Sequence, residues 1–122
     1  MTAFLRSCGY ALRGIWFAAH AQRNFRIQLL AAAVALIAGV RLHLGVEEMA
    51  ILGITVTVVI AAELFNTALE YLLNVLEARD HPIVRTAKDV AAGGTLAAVI
   101  GSVGVGLLLF GPRLWAILRR MG

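Results

Sequence analysis

The segment from Val90 to Gly111 contains no charged side chain and consists mainly of Ala, Gly, Val, Leu and Ile. As a helix it would be about 33 Å long, close to the roughly 30 Å of hydrocarbon in a bilayer. The whole chain is 61% hydrophobic and 15% charged, whereas soluble domains are roughly 45–50% apolar and about 25% charged. Such a chain cannot cover its own core with polar surface, so the sequence predicts a membrane protein.

Two further apolar segments precede this one, at residues 27–46 and 49–76. The second has no proline and is rich in Ala and Leu, which favours a helix throughout. His81-Pro82 is expected to break the chain after it, and Pro112 is expected to end the third span at 90–111. The sequence therefore predicts three transmembrane helices.

The N-terminal segment, residues 1–26, alternates arginines with aromatic and aliphatic side chains. Basic residues with such partners at helical spacing are typical of a helix that lies in the membrane interface. With 122 residues the chain is long enough for one domain. The expected fold class is an all-α membrane protein, residues 1–122, with an N-terminal interfacial amphipathic helix and three transmembrane helices.

The net charge of +4 and the isoelectric point of about 10.2 would suggest nucleic acid in a soluble protein. Here the basic residues sit at the edges of apolar segments, where they meet anionic headgroups, so we expect no nucleic-acid partner. The excess of Lys and Arg assigns the N-terminus and the second loop to the cytoplasm. The C-terminal tail then lies outside, against the charge rule, with Arg113, Arg119 and Arg120.

Polar residues form a stripe on the second span. Glu63, Asn66 and Glu70 lie within roughly 60° of each other on a helix, and Asn74 and Glu77 continue the line. Carboxylates inside a membrane are costly and indicate function. They can bind a divalent cation, take a proton from a substrate hydroxyl, or pass protons or cations along a pore. A stripe that only joins helices by hydrogen bonds would explain Asn66 but not two glutamates.

Lys88 and Asp89 stand at the start of the third span. A lysine beside the free N–H groups of a helix N-terminus can hold phosphate, although such a pair can also simply cap a membrane helix. Beside the carboxylate stripe the first interpretation is stronger. A cation site, a phosphate-binding lysine and a buried base together indicate phosphoryl transfer to a hydrophobic alcohol.

The run Glu63-x-x-Asn66-Thr67-Ala68-x-Glu70, followed by His81 and Ala87-Lys88-Asp89, resembles the prokaryotic diacylglycerol kinase family of small integral-membrane lipid kinases. That family includes the undecaprenol kinases of Gram-positive bacteria. The match extends without gaps from about Gly9 to Asp89. The stretches "HPIVRTAKDVAAGG" and "RNFRIQ" are closer to the undecaprenol kinase branch.

This resemblance implies an enzyme that uses ATP and Mg²⁺ to phosphorylate diacylglycerol or undecaprenol in the bacterial inner (cytoplasmic) membrane. It implies that Glu63 is the base, that Asn66 orders the catalytic site, and that Glu70 holds the magnesium. It also implies a homotrimer whose active sites are shared between subunits. The residues expected at the nucleotide are Tyr10, Glu70, Arg79, Asp80, His81, Lys88 and Asp89.

The chain departs from the family pattern at three positions. Gln22 replaces a second metal-binding glutamate, Asn74 replaces the aspartate that closes the motif, and Phe65 replaces a smaller residue. The amide oxygen of Gln22 can still bind a hard cation, but without charge. Two other hypotheses therefore stay open: a small transporter or cation channel that uses the Glu63 and Glu70 stripe, and a non-catalytic membrane scaffold descended from the kinase.

Overall fold

The computed structural model describes residues 2–76 and 81–122, and within them it contains four helices and no strand. The helices are α1 (Thr2–Ala21), α2 (Arg23–Arg41), α3 (Val46–Val75) and α4 (Pro82–Met121). The last three are long and apolar enough to cross a membrane. The predicted all-α fold with three spans is confirmed, and the protein is a multi-pass membrane protein.

The corner between α1 and α2 lies earlier than predicted. Gln22 leaves the helical conformation, with φ −112° and ψ 117°, and α2 starts at Arg23 rather than at residue 27. Ala18 and Phe25, on either side of the corner, are almost completely buried. Helix α2 thus starts before the apolar segment does. The packing of Ala18 and Phe25 stabilises the corner, and a change in hydropathy does not mark it.

Helix α2 also ends earlier than predicted, at Arg41 instead of residue 46. His43 takes a left-handed conformation with φ 52°. The N–H of Leu44 donates to the carbonyl of Gly39, and that of His43 to the carbonyl of Val40. This is the Schellman arrangement, which usually has glycine at the left-handed position, so a histidine there could not be recognised as a helix end from the sequence.

The prediction that Pro112 ends the third span is wrong, because α4 continues through Pro112 to Met121. Proline inside a helix removes one N–H and disturbs the carbonyls of the preceding turn. Nη1 of Arg113 donates to the carbonyl oxygen of Leu109 at 2.9 Å. The carbonyl that loses its backbone donor to Pro112 is that of Leu108, four residues earlier, so the bond from Arg113 lies at the neighbouring carbonyl. At its other end α4 begins after His81, as the His81-Pro82 break predicted, but eight residues before the predicted start of the third span at 90. Lys88 and Asp89 therefore lie in its second turn and not, as expected, beside the free N–H groups of its N-terminus.

Helix α3 occupies the centre and packs against both α2 and α4, while α1 contacts α2 and α3. At the end of the bundle that includes the α2–α3 turn, the carboxylate of Glu48 accepts two hydrogen bonds from Arg113, at 2.9 and 2.6 Å. The same carboxylate caps α3 by accepting from the N–H of Gly45 at 2.8 Å. The C-terminal part of α4 therefore lies at the same end of the bundle as the α2–α3 turn.

Candidate active site

The polar residues of α3 lie in a fixed order along the bundle. The helix runs from the Glu48–Arg113 ion pair towards the α3–α4 connection. Glu63 precedes Glu70 by two turns, so its backbone lies about 10 Å deeper in the span. Asn66 lies between the two carboxylates on the same face. Within one helix the stripe thus connects the interior of the bundle with the end at which α4 begins.

Glu63 is only 4% exposed, which is unusual for a carboxylate. Its Oε2 accepts a hydrogen bond from Nε2 of Gln28 on α2 at 3.3 Å. The other amide atom of Gln28, Oε1, is buried without a partner among the described residues. The amide group therefore keeps one unused hydrogen-bond acceptor beside the buried carboxylate.

Gln28 was not among the residues predicted for the site. The available signal was that it is the one polar side chain between Ile27 and Val40, inside an otherwise apolar span. Polar residues in such positions usually face the interior of the bundle. Its partner on another helix cannot be read from one sequence.

Four of the predicted residues meet around one cavity of about 210 Å³. Asn66 and Glu70 contribute from α3, and Lys88 and Asp89 contribute from the second turn of α4. Nζ of Lys88 donates to Oδ1 of Asn74 at 2.7 Å. Because Asn74 is neutral, this bond fixes the position of the ammonium group without cancelling its charge.

The two residues predicted to hold a metal are adjacent in the structure. Nε2 of Gln22, at the α1–α2 corner, donates to Oε2 of Glu70 at 3.4 Å. A half-turn of the amide would present its oxygen instead. Within residues 2–76 and 81–122, no group of three His, Cys, Asp or Glu side chains is placed to hold a metal ion. Magnesium commonly takes one or two carboxylates and completes its shell with water and phosphates, so Glu70 fits such an ion only in company with a phosphate ligand.

The remaining predicted nucleotide residues are placed less centrally. Tyr10 is 63% exposed on α1, and the guanidinium of Arg13 lies 4.7 Å from its ring centre. It does not line the cavity formed by α3 and α4. His81 caps α4, because its Nδ1 accepts from the N–H of Ile83 at 3.2 Å. Arg79 and Asp80 fall outside the residues that the structure describes.

A second cavity of about 210 Å³ begins at Gln28 and extends between α2, α3 and α4. Apart from Gln28, Thr55 and Ser102 its lining is apolar; on α2 it comprises Ala31, Ala32 and Ala35. On α4 it extends from Val99 to Phe110. This apolar cavity reaches from the buried amide beside Glu63 into the membrane-spanning part of the bundle.

The two cavities give the carboxylates different surroundings. Glu70 shares a polar cavity with an ammonium group, where polyanions are stabilised. Glu63 is buried and is connected to the apolar cavity through its hydrogen bond with Gln28. A carboxylate so placed can act as a base towards a nonpolar molecule's hydroxyl. The arrangement is suited to a reaction between a phosphorylated, water-soluble compound and a lipid.

Comparison with known proteins agrees with this arrangement. The family model described as prokaryotic diacylglycerol kinase matches residues 9–110. An undecaprenol kinase of Bacillus subtilis strain 168 is 35% identical over 114 residues, which cover 93% of this chain and 93% of that protein. A diacylglycerol kinase of Synechocystis is 37% identical over 115 residues, covering 93% of this chain and 66% of the relative. The chain therefore belongs to the prokaryotic diacylglycerol kinase family of lipid kinases.

Proposed function

We propose that the protein transfers the γ-phosphate of ATP to the hydroxyl group of a membrane lipid, either undecaprenol or diacylglycerol. The observation that supports this best is the order of groups along α3. The buried Glu63 is hydrogen-bonded to Gln28, which lines the apolar cavity, and Glu70 lies about 10 Å nearer the end with Lys88. A lipid hydroxyl and a nucleotide phosphate can then approach Asn66 from opposite directions.

In the proposed reaction the carboxylate of Glu63 takes the proton of the lipid hydroxyl. The lipid oxygen attacks the γ-phosphorus, and the bond from that phosphorus to the β,γ-bridging oxygen breaks, which releases ADP. The hydrogen bond from Gln28 keeps the carboxylate in place. Lys88 neutralises charge on the phosphates, and Asn74 holds its ammonium group near Glu70 and Asp89.

Magnesium would be held by Glu70, with amide oxygens of Asn66 and Gln22 as neutral ligands, and would supply charge neutralisation at the phosphates. This donor set has a single carboxylate next to Gln22. We therefore expect the ion to bind as the ATP complex rather than to the protein alone. Gln22 lowers the affinity for the metal without removing the ligand position.

The lipid chain is proposed to lie in the apolar cavity that begins at Gln28. Both lipid classes present a hydroxyl at one end of a long hydrocarbon chain, and the lining of the cavity is apolar apart from Gln28, Thr55 and Ser102. The two relatives are named for different lipids, an undecaprenol kinase and a diacylglycerol kinase. The product would be polyprenyl phosphate or phosphatidic acid accordingly.

We further propose that the enzyme works as a homotrimer in the bacterial inner membrane. In the single chain Glu70 is exposed on a helix long enough to cross the bilayer. An ionised carboxylate in that position is costly unless protein covers it. A neighbouring copy that covers this face would complete the site. Cross-linking of the protein in native membranes, with trimers as the expected product, tests the assembly separately from the activity.

The central experiment measures transfer of labelled phosphate from ATP with magnesium, by purified protein in lipid micelles, to undecaprenol and to diacylglycerol offered side by side. We expect transfer to one or both lipids, and loss of transfer in Glu63→Gln. Gln22→Glu is the matched variant for the metal site, and it should lower the magnesium concentration needed for half-maximal rate. A properly assembled protein that phosphorylates neither lipid, even as Gln22→Glu, would contradict the proposal and favour the transport or scaffold alternatives.

A further inference from the structure

The last ten residues of α4 form a segment of their own. With 40 residues, α4 is about 60 Å long, twice the thickness of the hydrocarbon. The uncharged part ends at Gly111, so the helix from Pro112 to Met121 extends beyond the hydrocarbon. We call residues 112–121 the α4 extension. It lies at the end of the bundle where Glu48 binds Arg113.

The α4 extension is amphipathic. At about 100° per residue its apolar side chains cover one arc of about 160°. They are Leu114, Trp115, Ile117, Leu118 and Met121, and all are substantially exposed. Arg113, Arg119 and Arg120 occupy the opposite arc of about 120°. A helix that simply extended into water would leave five large apolar side chains solvated, which is unfavourable.

The charges of this segment are unbalanced. No Asp or Glu occurs anywhere after Asp89 in the sequence. Arg113 is paired with Glu48, but among residues 2–76 and 81–122 no carboxylate lies within ion-pair distance of Arg119 or Arg120. The guanidinium of Arg119 lies over the ring of Trp115, 5.4 Å from its centre. This contact places a cation beside an aromatic ring, a combination found at the level of lipid headgroups.

We propose that the α4 extension is a binding site for anionic phospholipids in the leaflet at the α2–α3 end of the bundle. Its apolar arc enters the boundary between headgroups and acyl chains, and Arg119 and Arg120 bind lipid phosphates. Charge complementarity supports this occupant, because a second copy of the chain would bring the same unpaired arginines to the contact. The count of Lys and Arg assigns this end of the bundle to the outer side of the membrane. Binding to lipid phosphates would explain why arginines occur there against the positive-inside rule.

The test uses the full-length protein with Trp16→Phe, which leaves Trp115 as the one tryptophan. The protein is reconstituted in vesicles of phosphatidylcholine with a minor fraction of phosphatidylglycerol, and brominated acyl chains are carried by one lipid or by the other at equal mole fraction. We expect stronger quenching of Trp115 when phosphatidylglycerol carries the bromine. The local enrichment of anionic lipid should be roughly fivefold for each arginine and should fall with added salt.

The preference should disappear in Arg119→Gln with Arg120→Gln, and it should persist in the matched control Arg41→Gln, which removes a charge from α2 at the same end of the bundle. Three outcomes would overturn the proposal. Equal quenching by both lipids would mean that no headgroup is selected. Quenching by neither lipid, with blue-shifted emission, would mean that a protein surface covers the segment. Quenching by neither, with emission typical of water, would mean that it is solvated.

Discussion

Replacing Gln28 with Leu tests whether the buried amide positions the proposed base. Leu has a similar volume but cannot donate to Glu63. Hydrogen bonds to charged groups contribute about 1.5–3 kcal/mol, and the 3.3 Å separation between Nε2 and Oε2 is long. We therefore take the lower figure, about 1.5 kcal/mol, which corresponds to a roughly tenfold fall in kcat.

The folded state should tolerate this change. Oε1 of Gln28 is already buried without a partner among the described residues. Removing the amide removes this unpaired acceptor, but it also leaves the buried carboxylate of Glu63 without the bond from Gln28, which costs about 1–3 kcal/mol. We expect a small fall in the midpoint of thermal unfolding in micelles, and an unchanged KM for ATP, because the polar cavity between α3 and α4 is lined by other residues.

The assay is transfer of labelled phosphate to lipid at saturating ATP, measured in a double-mutant cycle with Glu63→Asp. The shorter aspartate keeps a carboxylate but withdraws it from Gln28 by one methylene. In the Glu63→Asp background, Gln28→Leu should lower kcat by less than about twofold. The interaction between the two residues is already lost there, so the second substitution cannot remove it again. An equal loss in both backgrounds would show that Gln28 acts independently of Glu63 and would refute the positioning role.

Three further predictions follow from the cavities and the α2–α3 packing. Lys88→Met should raise the KM for ATP about tenfold or more and leave the KM for lipid unchanged, since Lys88 lines the polar cavity and not the apolar one; a shift in the lipid KM alone would contradict this. Ala32→Phe should fill the apolar cavity and raise the KM for lipid but not for ATP. Ala33 does not line this cavity, so Ala33→Phe should leave the KM for lipid unchanged. Equal effects of the two substitutions would exclude the cavity as the lipid site. Gly39→Val should destabilise the fold by about 1–3 kcal/mol, because even a Cβ would lie 2.8 Å from Sδ of Met49. Gly101→Val, where a Cβ meets nothing within 4 Å, is the control in thermal unfolding, and equal destabilisation of both variants would refute the packing argument.

Hydropathy was sufficient to predict the number of spans and the fold class. The separation of α3 from α4 was also predictable, because Pro82 fixes a helix start. The helix ends depend on local hydrogen bonds that hydropathy does not report. α2 ends in a Schellman arrangement with His43 at the left-handed position, where glycine is the usual signal. Pro112 failed as a stop signal, since α4 continues through it to Met121, and membrane helices tolerate an internal proline better than soluble ones do.

The candidate site was predictable to the extent that it lies on one helix. The period of the α-helix places Glu63, Asn66 and Glu70 on one face of α3, and the sequence also predicted Lys88 and Asp89 beside this stripe. In the structure Asn66, Glu70, Lys88 and Asp89 line one cavity, whereas Glu63 does not. Contacts between helices could not be derived in this way. The pairs of Gln28 with Glu63 and of Glu48 with Arg113 join residues that are 35 and 65 positions apart. Only the packing of the bundle determines such pairs.

The depth of Glu63 has a consequence for the departure of the product. A neutral alcohol loses little solvation when it enters the space beside this buried carboxylate. A phosphate monoester carries about −1.5 to −2 charges near neutral pH. Once the proton that Glu63 took from the hydroxyl has left, this product faces the negative charge of Glu63 at low dielectric. Under the proposed reaction the phosphorylated lipid is therefore repelled from the position at which its precursor was bound. Burying the charged phosphate costs desolvation free energy, just as burying a carboxylate does. This cost would favour movement of the phosphate group towards the aqueous phase, and inhibition by the product would then be weak.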